Sequence, residues 1–325
     1  MFAASAPPVT LIDFIKKHSN FLVVGHKEPD GDCAGSQLAL CSALRRLGKT
    51  AIPVQAGPFK RNEVNNLESE FSDRVSVEAR QNAAVIIVDC SSIERTGCIE
   101  EQIAGLPTAV IDHHITGKHA GAGVSYIDGT SPATVLLVLL LIKALRLELT
   151  SYEAELLFLG LCTDTGFFRH LEKDSAIVFN MAAELVRAGA DPKKTFNIMN
   201  GGKSLNSRLL LSEILGRAES YFGGRLIIST ETQEDSERFG LESRDSDSLY
   251  QLLLAIQDVA AVAVIRQESA ENCTIGLRSR DEVDVAAVAS SLGGGGHKNA
   301  SGALIAGQIS EIKPKVIAAF ARFFS

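Results

Sequence analysis

The chain has 325 residues, 46% of them hydrophobic and 22% charged, with a net charge of −7; that length makes about two domains, each with enough apolar residues for its own core. The acidic balance lacks the basic surface that neutralises many phosphates, which argues against a grip on long DNA or RNA, and 6% aromatic residues with no Trp argue against an extended stacking platform.

In chain order, the apolar run Phe21-Leu-Val-Val-Gly25 stops at His26, and a helix is expected from Cys33 to Leu47, with Gly48 as its terminator. The run Ala84-Val-Ile-Ile-Val88 stops at Asp89, and Ala109-Val-Ile111 stops at Asp112. Each run is too short for a buried helix and rich in β-branched residues, which predicts parallel strands covered on both faces. A helix is predicted over Ser131 to Leu147, with Ser131 as cap and Pro132 in the first turn, and another from Ser151 to about Cys162, delivering Asp164 at its end. After the punctuation at Gly189-Ala-Asp-Pro192, the break Asn200-Gly201-Gly202 precedes a helix over Lys203 to Ser220. Strands follow near Arg225 to Thr230, Val259 to Arg266 and Cys273 to Ser279, then a helical stretch from Asp284 to Leu292, a glycine loop, and a last strand and helix.

This pattern predicts an α/β chain: a doubly wound parallel-sheet domain over residues 1–195, a linker helix over 196–220, and a smaller α+β substrate-binding domain over 221–325, with a cleft between the two domains and a hinge at the Gly201-Gly202 break. The longest apolar stretch, Val135 to Ile142, is far short of the roughly 20 residues that cross a bilayer, and no basic region precedes a hydrophobic core at the N-terminus. Cys33, Cys41, Cys90, Cys98, Cys162 and Cys273 show no CxxC spacing, and reduced, buried thiols in a cytoplasm are expected.

In open α/β sheets ligands bind beyond the carboxyl ends of the strands. One edge would therefore gather His26, Asp30, Asp32, Asp89, Asp112, His113, His114 and Asp164. Carboxylates brought that close repel, and proton uptake or bound cations relieve the repulsion. Carboxylate and imidazole without thiolate suit Mn²⁺ or Mg²⁺, with Zn²⁺ or Co²⁺ chemically possible, and an ion pair about 3.5–4 Å apart can clamp both oxygens of an in-line displacement at phosphorus. Any single Asp here also fits a helix cap, and Asp32 alone could cap the helix opening near Cys33. Capping requires neither the paired histidines nor a His four residues before Asp30. His18, His119 and His170 lack such a context and read as solvent or core residues.

The strings His-Lys-Glu-Pro-Asp-Gly-Asp (26 to 32), Val88-Asp89, Asp112-His113-His114 and Thr163-Asp164-Thr165-Gly166 resemble, in order and spacing, the motifs of the DHH phosphoesterase superfamily. Gly293-Gly-Gly-Gly-His297-Lys-Asn-Ala-Ser-Gly302 resembles the signature of the substrate-binding domain that follows the DHH domain in its compact branch. The resemblance implies that His26, Asp30 and Asp89 hold one divalent ion, and that Asp32, Asp89, His113 and Asp164 hold the other, with Asp89 bridging. Two ions, Mn²⁺ first and Mg²⁺ or Co²⁺ as alternatives, would supply a shared hydroxide nucleophile. His114 would face the scissile phosphate, and Asp112 would fix an imidazole by hydrogen bond.

Arg278 and Arg280, two apart on one strand, would project from one face and form with Gly295, Gly296 and His297 a cradle for phosphate or nucleobase. The alternatives are a merely flexible glycine turn and two solvated arginines on an edge strand. Size and acidity set the chain apart from RecJ-type exonucleases, and the glycine-His motif from DHH pyrophosphatases. The expected activity is hydrolysis of short RNA or DNA oligonucleotides together with the conversion of adenosine 3',5'-bisphosphate (pAp) to AMP. Cleavage of cyclic dinucleotides or pApA is the second reading. A nucleotide-binding regulator with an inactive metal site is the third, although every expected ligand is present. Members of the family are often dimers, an analogy that leaves a homodimer open, while the oligomeric state itself is not legible in the sequence.

Overall fold

In the computed structural model residues 5–114, 123–280 and 282–324 are described. The chain divides into two compact units, Met1–Gly202 and Lys203–Ser325. His119 lies outside the described residues. Among the described residues no helix is long and apolar enough to cross a membrane.

The first unit holds strands β1 (Asn20–Val24), β2 (Thr50–Val54), β3 (Ala83–Val88), β4 (Thr108–Asp112) and β5 (Val124–Ile127), in the order β2-β1-β3-β4-β5 and parallel throughout. Its helices are α1 (Val9–Lys17), α2 (Gly31–Arg46), α3 (Val77–Arg80), α4 (Glu100–Ile103), α5 (Thr134–Ala144), α6 (Ser151–Asp164), α7 (Ala176–Arg187) and α8 (Pro192–Asn200). Alternation explains why the strands are apolar throughout. Phe21, Val23, Ala84, Ile86 and Val88 enter the core shared with α2, α5 and α6, while Leu22, Val24, Val85 and Ile87 enter a second core on the opposite face. Pro53, which cannot donate to a ladder, sits on the edge strand β2.

Two helix starts differ from expectation. Asp30, not Asp32, caps α2: its Oδ1 accepts from the Cys33 N–H at 3.0 Å. Helix α5 opens at Thr134 rather than Ser131, and no side chain at its own N-cap satisfies its first amides. The Asp32 carboxylate does so from α2, accepting from Thr134 N at 2.6 Å and Val135 N at 2.8 Å. Asp32 is thus a cap, but of another helix.

The second unit contains β6 (Glu219–Tyr221), β7 (Leu226–Glu231), β8 (Ala261–Ser269), β9 (Asn272–Ser279), β10 (Gly295–His297) and β11 (Ala300–Ala306), ordered β10-β11-β9-β8-β7-β6. Among the described residues of this unit only β7 and β8 pair in parallel. Helices α9 (Leu205–Gly216), α10 (Gln233–Phe239) and α11 (Ser246–Leu254) cover one face, and α12 (Val285–Ser291) and α13 (Ile309–Phe324) the other. The helix expected as a connector, α9, buries Leu210 and Ile214 against Ile227 and Val262, so its apolar side commits it to this unit.

Helices α2 and α6 approach closely because their contact positions are glycines. A Cβ on Gly35 would stand 2.5 Å from the Leu156 carbonyl oxygen, and one on Gly160 would stand 3.0 Å from the Asp32 Cα. In a solvent-exposed helix Gly→Ala stabilises by about 1 kcal/mol. Here Gly35→Ala should instead destabilise by about 1–3 kcal/mol, read from the urea midpoint, because backbone must move. An unchanged or raised midpoint would contradict the close packing.

Candidate metal centre

Since β1, β3 and β4 are neighbours and parallel, their carboxyl ends lie side by side. His26 follows β1 by two residues, Asp89 follows β3 directly, Asp112 ends β4, and His113 and His114 come next. Helix α2 starts at the same edge with Asp30 and Asp32, and α6, drawn in by the glycines, ends there with Asp164. Asp89 has a φ of 60°, a left-handed conformation that Asp tolerates better than most side chains, and its N–H donates to the Ile111 carbonyl at 3.0 Å.

The imidazoles are oriented by backbone carbonyls. Nδ1 of His26 donates to Lys27 O at 2.9 Å, and Nδ1 of His113 to Ser131 O at 3.1 Å; a carbonyl only accepts, so in each neutral ring Nε2 carries the lone pair. His26 Nε2 faces Asp89 Oδ2 at 3.3 Å and Asp30 Oδ1 at 3.9 Å. His113 Nε2 faces Asp164 Oδ2 at 3.2 Å, Asp89 Oδ1 at 3.6 Å and Asp32 Oδ2 at 3.9 Å. It is buried without a hydrogen-bond partner among the described residues. A lone pair aimed at carboxylates is repulsive, so Nε2 must carry a proton or a metal ion. The residues fit a divalent cation. Asp32, His113 and Asp164 form one group of ligand atoms within 4.8 Å of one another, and Asp89, His113 and His114 form another.

The electrostatics agree. Burial, then repulsion from Asp89 and Asp164, raises the Asp32 pKa well above the carboxylate range. Burial, with Asp89 and Asp30, raises that of Asp164 too, although the nearby His113 ring opposes it. For the His113 ring burial works against the charge, but Asp164 and Asp89 win and raise its pKa to about 9. Burial would also lower the His26 ring, and Cys33, Asp30 and Asp89 outweigh it. Asp30 moves the other way: burial would raise it, but His26 and the Cys33 amide hold it low.

Asp112 serves His114, whose Nδ1 lies 2.8 Å from Asp112 Oδ1 and whose backbone N–H donates to the same oxygen at 3.1 Å. Two residues that touch the cluster escape the motif reading. Thr134 holds the site from α5 through its hydroxyl, which donates to Asp89 Oδ1 at 2.9 Å, as well as through its amide to Asp32. Cys33 brings its sulfur into a group with His26 and Asp89. The position of Cys33 next to Asp32 was a signal available in sequence; the Thr134 contact had none. Arg169 Nη2 lies 3.2 Å from His170 Nε2, and His18 packs its ring against Phe14.

In the second unit, Arg278 and His297 both register with Ala300, so the three form a row on one face of the sheet. The Arg278 guanidinium lies over the Tyr250 ring at 4.6 Å. Arg280 does not join the row. It lies one residue past β9, and its Nη2 donates to the Leu254 carbonyl at the end of α11 at 2.8 Å, a helix-terminal contact. Nor is the glycine run a loose loop. Gly295–His297 pairs with Ala300–Gly302, and a Cβ at Gly294 or Gly296 would strike β11, so close strand contact accounts for those glycines; Gly295 has open space around it.

A model described as the DHH family, N-terminal domain, matches residues 20–161, and one for the DHHA1 domain matches residues 223–325. The bifunctional oligoribonuclease and PAP phosphatase NrnA of Thermus thermophilus is 31% identical over 289 residues, covering 88% of this chain and 84% of that protein. The cyclic-di-AMP phosphodiesterase GdpP of Bacillus subtilis is 24% identical over 97% of this chain, which spans 49% of its length. Among solved structures, an exopolyphosphatase-related protein from Bacteroides fragilis shares the fold, with a TM-score of 0.81 at 21% identity over 97% of this chain and 96% of that one.

Metal must displace the proton that the raised pKa leaves on His113 at neutral pH. Mn²⁺ affinity measured by calorimetry should therefore climb with pH up to about 9, with protons released on binding; a pH-independent affinity over that range would contradict this site. The same proton linkage acts on the metal-free fold. Its His113 contribution to stability is complete below the unfolded value of 6.5 and is lost as pH rises through about 9.

Proposed function

Because the chain belongs to the DHH family, we propose that it is a metal-dependent hydrolase that cleaves short oligonucleotides and removes the 3'-phosphate of pAp. The observation that carries the proposal is the buried, partnerless His113 Nε2 facing three carboxylates. In this reading His26, Asp30 and Asp89 hold one ion, and Asp32, Asp89, His113 and Asp164 the other. The bridging role of Asp89 is supported by its two oxygens, one near each imidazole. Bound divalent ions supply Lewis acidity toward water and the phosphoryl oxygens, and relieve the repulsion among the carboxylates. The all-nitrogen-and-oxygen donor set around His113 supports Mn²⁺, with Mg²⁺ or Co²⁺ as alternatives.

The chain's own residues do the rest. Asp112 holds the proton of His114 on Nδ1, which leaves Nε2 to interact with a phosphoryl or leaving oxygen. The Asp112 carboxylate is suited to that role because it stays ionised; burial would raise its pKa, but the His114 contacts lower it. The α5 N-terminus, through Thr134 and Val135, holds Asp32 in one orientation. Arg278 and His297, in one row beside the exposed Gly295 and Gly296, are the proposed contacts for a substrate phosphate or base. The net charge of −7 supports small rather than long nucleic-acid substrates. The free cysteines support a reducing, cytoplasmic setting.

A second reading, hydrolysis of cyclic dinucleotides or pApA, is favoured by the similarity to GdpP over 97% of the chain. Incubation with Mn²⁺ and pAp, a short RNA or cyclic di-AMP separates the two. AMP from pAp together with mononucleotides from the RNA supports the first; turnover of the cyclic dinucleotide alone supports the second. Asp89→Asn should lower kcat/KM by about 10³-fold or more with the urea midpoint little changed. Asp112→Asn should lower kcat by about 10²-fold while Mn²⁺ affinity stays within about twofold, because it touches His114 rather than the ions. Loss of Mn²⁺ binding in Asp112→Asn would move that residue into the ligand set.

A further inference from the structure

We propose that Cys33 is a ligand of the ion held by His26 and Asp89, and that its sulfur biases that position toward thiophilic divalent ions such as Co²⁺, Zn²⁺ and Cd²⁺ over Mg²⁺; this rests on the two-ion reading above. The ligand atoms of His26, Cys33 and Asp89 lie within 4.8 Å of one another, and all three residues are buried. Asp30, the carboxylate that the motif pairs with His26 and Asp89, is partly committed elsewhere. Its Oδ1 caps α2 through the Cys33 amide and stands 3.9 Å from His26 Nε2.

The surroundings of the sulfur are built rather than incidental. Gly25 leaves the room it occupies, since a Cβ there would stand 2.2 Å from Cys33 Sγ. Behind it, Gln55 Nε2 lies 3.7 Å from Sγ and donates to Gln37 Oε1 at 2.9 Å, while Gln37 Nε2 is anchored on the carbonyls of Val23 and Val54, each at 2.9 Å. An amide N–H aimed at sulfur supports a metal-bound thiolate. The thiol proton has two acceptors within reach, Gln37 Oε1 at 3.6 Å and His26 O at 3.9 Å, and ligation would exchange that weak S–H donor for a metal bond. On ligation the S–H bond is replaced by a sulfur–metal bond and the proton leaves to solvent, with no change of oxidation state. The other position, built from Asp32, His113 and Asp164, contains no sulfur. The two ions would thus sit in chemically unequal surroundings, one with a soft sulfur donor and one with nitrogen and oxygen donors only.

Loading the full chain with Co²⁺ tests this, because a sulfur ligand produces a near-ultraviolet charge-transfer band independent of turnover. The band should appear in the wild type, vanish in Cys33→Ala and Cys33→Ser, and persist in Cys41→Ala. The preference for Cd²⁺ over Mg²⁺ should fall by about 10- to 100-fold in the Cys33 variants. Two Co²⁺ per chain without the band in the wild type would overturn the sulfur ligand and leave the two-ion site standing. A band that survives in Cys33→Ala would overturn it as well. Failure to bind Co²⁺ at all would overturn both readings, and since the wild-type spectrum is decisive, a poorly folding variant does not shelter the proposal.

Discussion

Five aspartates, Asp30, Asp32, Asp89, Asp112 and Asp164, share the edge of one sheet, and three of them, Asp32, Asp89 and Asp112, are almost wholly buried. Two like charges about 4 Å apart near a protein surface repel by about 4 kcal/mol, so a cluster of this kind exists only with compensating positive charge or bound protons. The protein supplies part of that compensation itself. Two imidazoles are turned toward the carboxylates by backbone carbonyls, and the first amides of α5 are given to Asp32. The remainder is what a pair of divalent ions would provide, and the raised pKa values of His113, Asp32 and Asp164 record how far the protein alone falls short.

That constraint reaches well beyond the site. Asp164 arrives at the cluster only because α6 lies against α2 at glycine positions, and Asp32 meets α5 only because the same packing sets the start of α2 beside it. Asp89 takes a left-handed backbone to stand between the two imidazoles. Such strain, on the order of 1–3 kcal/mol, persists where the surroundings over-determine it. Here the hydrogen bond to Ile111 and the Thr134 hydroxyl do so. Core packing, helix capping and the ligand set are therefore one problem solved together, which is why a methyl group on Gly35, remote from any phosphate, is expected to be felt in the fold.

The second unit obeys a different logic. Its glycine run is shaped by the close contact of β10 and β11, and its one cationic row is made by strand register, which lines up His297, Ala300 and Arg278 across three strands. Arg280 lies one residue past β9, and its guanidinium reaches the Leu254 carbonyl at the end of α11, the helix whose Tyr250 ring lies under Arg278.

The parallel strands, the placement of His26, Asp89 and Asp112 at their ends, and the family were all legible along the chain, because short apolar runs interrupted by charge carry their meaning locally and the motifs keep a fixed order. Nothing along the chain told which aspartate caps which helix, that Thr134 joins the cluster, or that the Arg280 guanidinium bonds the end of α11. Asp32 meets the α5 amides across 102 positions, and Thr134 meets Asp89 across 45; no local pattern encodes contacts of that reach. They exist only once the strand order is set and α2, α5 and α6 are packed on one face of the sheet, because packing alone selects which distant polar atoms must share a space without water.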